Sequence, residues 1–176
     1  MRNDDLPGVV PPEALQMIGA WSTVPAFIRD RHLNIVASNH LAKELSPIFT
    51  EGVNLARIVF TPGELPLGVE IDPQQIADKL KESLARYESD ADFETIVDEL
   101  SSVSSAFVKA WGDASETVEP LPFQIRHERV GPLSLTYQAM TMPVRSDLSL
   151  AVLRGTDDGS RAALKRLADI ISTPQI

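Results

Sequence analysis

The sequence predicts an α+β domain, a five-stranded antiparallel sheet with helices packed over one face plus an N-terminal helix. Three observations carry that reading. From Asp72 to Trp111 the apolar residues recur at helical spacing. From Pro122 to Val152 they recur at every second position, broken by turn residues. Ahead of both, two short apolar stretches, Val24 to Arg29 and Leu33 to Ala37, flank a polar Asp30-Arg31 step that suits a tight hairpin turn.

Taken in order, residues 1–12 are polar and proline-rich and read as a linker. Residues 1–22 are therefore expected to form a linker and an N-terminal helix, and 23–176 the folded domain. Pro12 and Glu13 open the helix, with Leu15, Ile18 and Trp21 along its apolar side. One such helix cannot bury its stripe alone, so it must pack on the domain or on a second copy of the chain. After the first two strands Asn39 is placed to cap a helix, which Pro47 stops. Leu55, Ile58 and Val59 form the stripe of another short helix. Pro62 to Gly68 is a loop, and Asp72 with Pro73 begins a longer helix carrying Ile76, Leu80, Leu84 and Tyr87. Phe93, Ile96, Val97, Leu100 and Val103 continue the helical pattern to Phe107 and Trp111, with a bend expected at the serines 101–105. Phe123, Ile125 and His127 share one face of the third strand. Leu133, Leu135, Tyr137 and Ala139 share one face of the fourth, and Leu148, Leu150 and Val152 one face of the fifth. Asp158, Gly159 and Ser160 then start a last helix with Leu164, Leu167 and Ile171.

Composition narrows the function. Apolar residues make up 43% of 176, enough for a core. No apolar run has the length of a membrane span and no signal peptide opens the chain, so a cytoplasmic protein without membrane contact is expected. There are no cysteines, which excludes disulfides and thiolate chemistry. The net charge is −9, and no basic stretch is present to neutralise phosphates, so DNA is not a direct partner. The three histidines are scattered, the acidic run Glu88, Asp90, Asp92, Glu94 lacks the glycine and distal glutamate of a calcium loop, and no GxSxG, phosphate loop or GxGxxG occurs. No catalytic residue, metal site or cofactor is expected, and the chain reads as a non-enzyme.

Two strands, a block of helices, then three strands is the element order of a PAS-like domain, whose cavity lies between sheet and helices. The chain also resembles the ligand-binding domain of MmyB-like transcription regulators, a branch of the XRE-type helix-turn-helix regulators. PAFIRDRHLNIVASNHLA, residues 25–42, is similar to PAYVLDxRxDVLAWNxxA. VNLARIVF, residues 53–60, is similar to RNLLRLLF. SSAFVKAW, residues 104–111, matches SxxFxxLW, and HERVGPLSLTYQAMTMP, residues 127–143, matches HPxVGxLxLxYxxLxLP. Ser38 stands where the pattern has tryptophan, and Trp111 runs into GDASETV where a His-Asp pair is common. The resemblance implies a small hydrophobic, fatty-acid-like ligand and a homodimer. It also implies control of DNA through a helix-turn-helix domain that is absent from this sequence.

The expected ligand-binding residues are Phe27, Ile35, Leu41, Leu45, Leu55, Val59, Leu80, Phe107, Trp111, Phe123, Ile125, Leu135 and Tyr137, with Asn39 and Arg57 as polar members. For most of the apolar ones, plain core packing explains the pattern equally well. Arg57 matches the resemblance as a partner for a carboxylate head group, although the helical wheel turns it opposite Leu55, Ile58 and Val59. A ligand-free dimerisation or docking module and a small enzyme on a cavity fold are the alternatives.

Overall fold

The computed structural model describes residues 9–113, 115, 116 and 118–174. Most of the expected 1–12 linker lies outside the described residues. The elements run α1 (Pro12–Gly19), β1 (Ala26–Asp30), β2 (Ile35–Ser38), α2 (His40–Leu45), a 3₁₀ turn (Pro47–Phe49), α3 (Leu55–Phe60) and β3 (Val69–Glu70). They continue with α4 (Pro73–Arg86), α5 (Ala91–Val103), α6 (Ser105–Gly112), β4 (Leu121–His127), β5 (Gly131–Thr141), β6 (Leu148–Gly155) and α7 (Asp158–Ser172). The strands form one antiparallel sheet in the order β2-β1-β6-β5-β4-β3.

The α+β class and the helix-covered sheet are as expected, with one more strand. β3 is only two residues long and escapes a period-2 reading, because its single inward residue is Val69. It begins after Gly68, whose φ of +85° suits glycine and where an added Cβ would meet the Arg126 carbonyl oxygen at 3.0 Å. A Gly68→Val variant is expected to lose about 1–3 kcal/mol of stability through that conformation and contact, read as a lower urea midpoint.

β4 and β5 show why their sequences read so clearly. Leu121, Phe123 and Ile125 are buried while Pro122, Gln124 and Arg126 are exposed. Leu133, Leu135 and Tyr137 alternate in the same way on β5. β1 differs: Ala26, Phe27, Ile28 and Arg29 are all buried, because the sheet is covered on both sides there. Phe27 belongs to the main core, with the α2–α7 helices. Ala26 and Ile28 belong to a second apolar cluster beneath α1, with Ala14, Ile18, Ala37, Leu148 and Leu150. Coverage of both faces is why β1 alternates only weakly in sequence.

The N-terminal helix therefore packs on its own domain. Ala14 and Ile18 are its buried residues, whereas Leu15, expected in the stripe, is 45% exposed. The β1–β2 turn is longer than the expected Asp30-Arg31 step. Residues 31–34 loop out, and Asp30 holds them by accepting hydrogen bonds from the backbone N–H of His32 and Asn34, both at 2.9 Å. Leu33 adopts a left-handed conformation (φ 68°), which drops its side chain into the core. α2 and α4 begin at the expected caps Asn39 and Asp72, while Asp90 and Ser104 are caps that the sequence reading does not assign. Asn39, Asp72, Asp90 and Ser104 each accept a hydrogen bond from a first-turn N–H, and the cap by Ser104 is the break between α5 and α6. On α7 the cap is Asp157, one residue before the expected start.

Candidate ligand-binding site

The candidate site is the space between the inner face of the sheet and the helix block. Its floor follows from strand register. Phe27 of β1 lies opposite Ala151 of β6, which lies opposite Ala139 of β5. Two small residues at the middle of the sheet let Phe27 and Tyr137 lean together across them, their rings 5.9 Å apart. Phe27 also stacks on Phe49 at 5.1 Å, and Phe49 meets Phe123 edge-on at 6.2 Å. The 3₁₀ turn brings Ile48 and Phe49, α3 brings Leu55, and α4 brings Gln75, Ile76 and Lys79.

These walls enclose a cavity of about 40 Å³ lined by Phe27, Arg29, Leu33, Ile48, Phe49, Leu55, Ile71, Gln75, Ile76, Lys79, Leu121, Phe123 and Tyr137. At roughly 10–15 Å³ per water, that is room for about three waters. The lining is apolar except for Arg29, Lys79, Gln75 and the Tyr137 hydroxyl, of which Arg29 and Tyr137 are joined by a hydrogen bond. Arg29 and Lys79 also line a wider outer cleft of about 610 Å³ on the α4 side, so they stand between inner cavity and surface.

Arg29 is 8% exposed. Its Nε donates to Tyr137 Oη at 2.7 Å and its Nη1 to the Asp30 carbonyl oxygen at 3.3 Å. Burial works against its charge, but Tyr137, Glu119 and Glu82 outweigh burial and hold its pKa above the ordinary value. Lys79 makes ion pairs of 2.8 Å with both Glu82 and Glu119. Burial again lowers and these two carboxylates raise, with a net upward shift for Lys79.

The expected site residues divide into groups. Phe27, Leu55, Phe123 and Tyr137 line the cavity. Ile35, Leu41, Leu45, Leu80, Phe107, Ile125 and Leu135 are buried in the surrounding core without lining it, and Val59 and Trp111 pack against that core partly buried. Phe107 is held between Phe60 and Trp111, with centroids 5.0 and 5.4 Å away.

The two polar members are placed elsewhere. Arg57 is on the surface, donating to Glu99 at 2.9 and 3.1 Å, as its place on the helical wheel implies. Asn39 is buried but its polar atoms are all taken by backbone. Its Oδ1 accepts from Ala26 and Ala42 N–H, and its Nδ2 donates to the carbonyl oxygens of Ile18, Trp21 and Val24. Arg29 and Lys79 are the polar residues that sequence reasoning missed. An arginine at the end of a hydrophobic strand reads as solvated, and only the sheet register shows that it shares an inward face with Phe27.

One group has metal-ligating types. His32, Asp90 and Asp92 bring ligand atoms within 4.8 Å of one another. Arg31 already pairs with Asp90, and His32 Nε2 lies 2.9 Å from Asp90 Oδ1, so this cluster acts as a lock between the hairpin turn and the start of α5. No helix among the described residues is long and apolar enough to cross a membrane.

No curated protein matches the sequence as a relative. A family model does: residues 10–167 match that of the MmyB-like transcription regulator ligand binding domain, from the start of the α1 segment to the middle of α7. The chain thus belongs to the family of MmyB-like transcription regulator ligand-binding domains.

Proposed function

We propose that this domain senses a small hydrophobic, fatty-acid-like molecule held between sheet and helices, and that occupancy controls DNA binding by an attached helix-turn-helix domain. The observation that carries the reading is a mainly apolar cavity between sheet and helices with only a few polar groups in its lining. The cavity is narrow, so a tail of more than a few carbons enters only as Ile48, Leu55 and Ile71 repack. That requirement ties occupancy to the positions of the 3₁₀ turn and α3. The domain acts as a homodimer in this reading, supported by Leu15 and Met17 turned outward on α1. No convergent acid, base and nucleophile lie in the cavity, which favours sensing over catalysis.

Native mass spectrometry of the purified domain, followed by solvent extraction, tests this. The expected result is a dimer carrying a lipid-like mass of a few hundred daltons that is lost on denaturation. A ligand-free protein that also takes up no medium- or long-chain acid would leave dimerisation or docking as its role.

A further inference from the structure

A surface groove of about 500 Å³ lies among the segment 20–24 that joins α1 to β1, the end of β6 and the first half of α7. Its frame is fixed by contacts already in place. Asn39 Nδ2 donates to the Trp21 and Val24 carbonyl oxygens at 3.2 and 2.7 Å, and Leu153 N–H donates to the Pro25 carbonyl oxygen at 3.0 Å. β6 and α7 approach so closely at Gly155 that an added Cβ would lie 2.7 Å from the Arg161 backbone nitrogen. The lining is apolar at Val152, Leu153 and Leu164, offers the half-buried Trp21, and carries three exposed cations, Arg154, Arg161 and Lys165. No carboxylate is in the lining. Arg161 has a water-exposed partner in Asp158 at 2.5 Å, whereas Arg154 and Lys165 make no ion pair among the described residues. On a chain of net charge −9, this groove has the opposite sign to the molecule as a whole.

We infer that this groove docks a short acidic segment of a partner protein, whose carboxylates meet Arg154, Arg161 and Lys165 and whose apolar side chains rest against Trp21 and Leu164. Charge complementarity selects that occupant. Duplex DNA fits it less well, because three cations neutralise few phosphates and the rest of the chain repels a polyanion. A second copy cannot place the same groove against itself across a two-fold axis, because cations would then face cations. The surface is separate from the cavity between sheet and helices and does not depend on what that cavity holds.

The test is fluorescence anisotropy of the full chain with a fluorescein-labelled acidic peptide, DEDFDLDE, and its counterpart DEDGDGDE, which has the same charge without the apolar side chains. The wild type should bind the first in a saturable way and the second about ten-fold more weakly. The double variant Arg154→Glu, Lys165→Glu should bind DEDFDLDE at least about ten-fold more weakly, and raising salt from about 50 to about 300 mM should weaken the wild type several-fold. Both side chains are exposed and make no ion pair, so the variant should keep the wild-type melting temperature. Amide chemical-shift changes on adding the peptide should concentrate at residues 20–24, 152–155 and 161–165. Absence of saturable binding, affinity that survives the charge reversal, or shift changes centred elsewhere would overturn the inference. So would a duplex oligonucleotide that binds the same residues as tightly, or self-association of the wild type that the double variant abolishes.

Discussion

Replacing Asn39 by aspartate is expected to cost at least ~3 kcal/mol of folding stability, seen as a large fall in the urea midpoint. Asn39 is 3% exposed and fastens three pieces of chain at one point. It caps α2 through Ala42 N–H at 3.0 Å, orients β1 through Ala26 N–H at 3.2 Å, and shares its two amide hydrogens among the Ile18, Trp21 and Val24 carbonyls. Aspartate has the same shape and keeps both acceptors. It loses both donors and sets a negative charge against three carbonyl oxygens with no room for water. The introduced carboxyl would have its folded pKa raised above the unfolded value of about 3.9. Its protonated form is the one the site tolerates, so the deficit relative to wild type should be smaller at pH 4 and grow as pH rises through that value. A deficit below about 1 kcal/mol at pH 7 would show that α1, β1 and α2 are held together by other contacts.

Phe27→Ala should be of similar size, about 3–5 kcal/mol. The Phe27 ring is fully buried and stacked on Phe49, and it forms the floor of the cavity beside Ala151. Its removal merges the space it filled with the existing cavity of about 40 Å³. Engineered apolar voids of roughly 150 Å³ bind benzene, whereas the present cavity is too small to do so without repacking. Benzene should therefore raise the melting temperature of the variant and leave the wild type unchanged. A wild type that benzene stabilises equally would mean the cavity opens more readily than its resting volume indicates.

These effects also mark how far the sequence can be read. The starts of α2 and α4 are legible because capping is local: Asn39 and Asp72 act within three residues of themselves. The strands β4 and β5 are legible because one face of each meets solvent. The loop 31–34 is not, because it depends on Leu33 taking a left-handed backbone to reach the core, against its residue preference. β3 depends on pairing with β4, about 55 residues later. The site is half legible. Its aromatic walls follow from the inward faces, but the polar part requires knowing that β6 lies between β1 and β5 and presents Ala151 there. That arrangement lets Arg29 reach Tyr137 across 108 positions of sequence. Asn39 shows the converse: local reasoning finds the cap, and the three distant carbonyls that make it a junction are invisible to it.

β1 serves as a partition with a different occupant on each side. Phe27 and Arg29 face the cavity, and Ala26 and Ile28, their immediate neighbours on the same backbone, face α1. A strand residue advances only about 3.3 Å, so the two sides cannot shift independently. Whatever moves Arg29 or Phe27 moves the surface on which Ile18 rests. The segment entering α1 is tied at a second point as well, where the buried Arg145 donates to the Val9 carbonyl oxygen at 2.5 Å and pairs with Asp147 on the β5–β6 connection. The chain from Val9 onward is thus tied both to the β5–β6 connection and, through Ile18, to the outer side of the strand whose inner side lines the cavity.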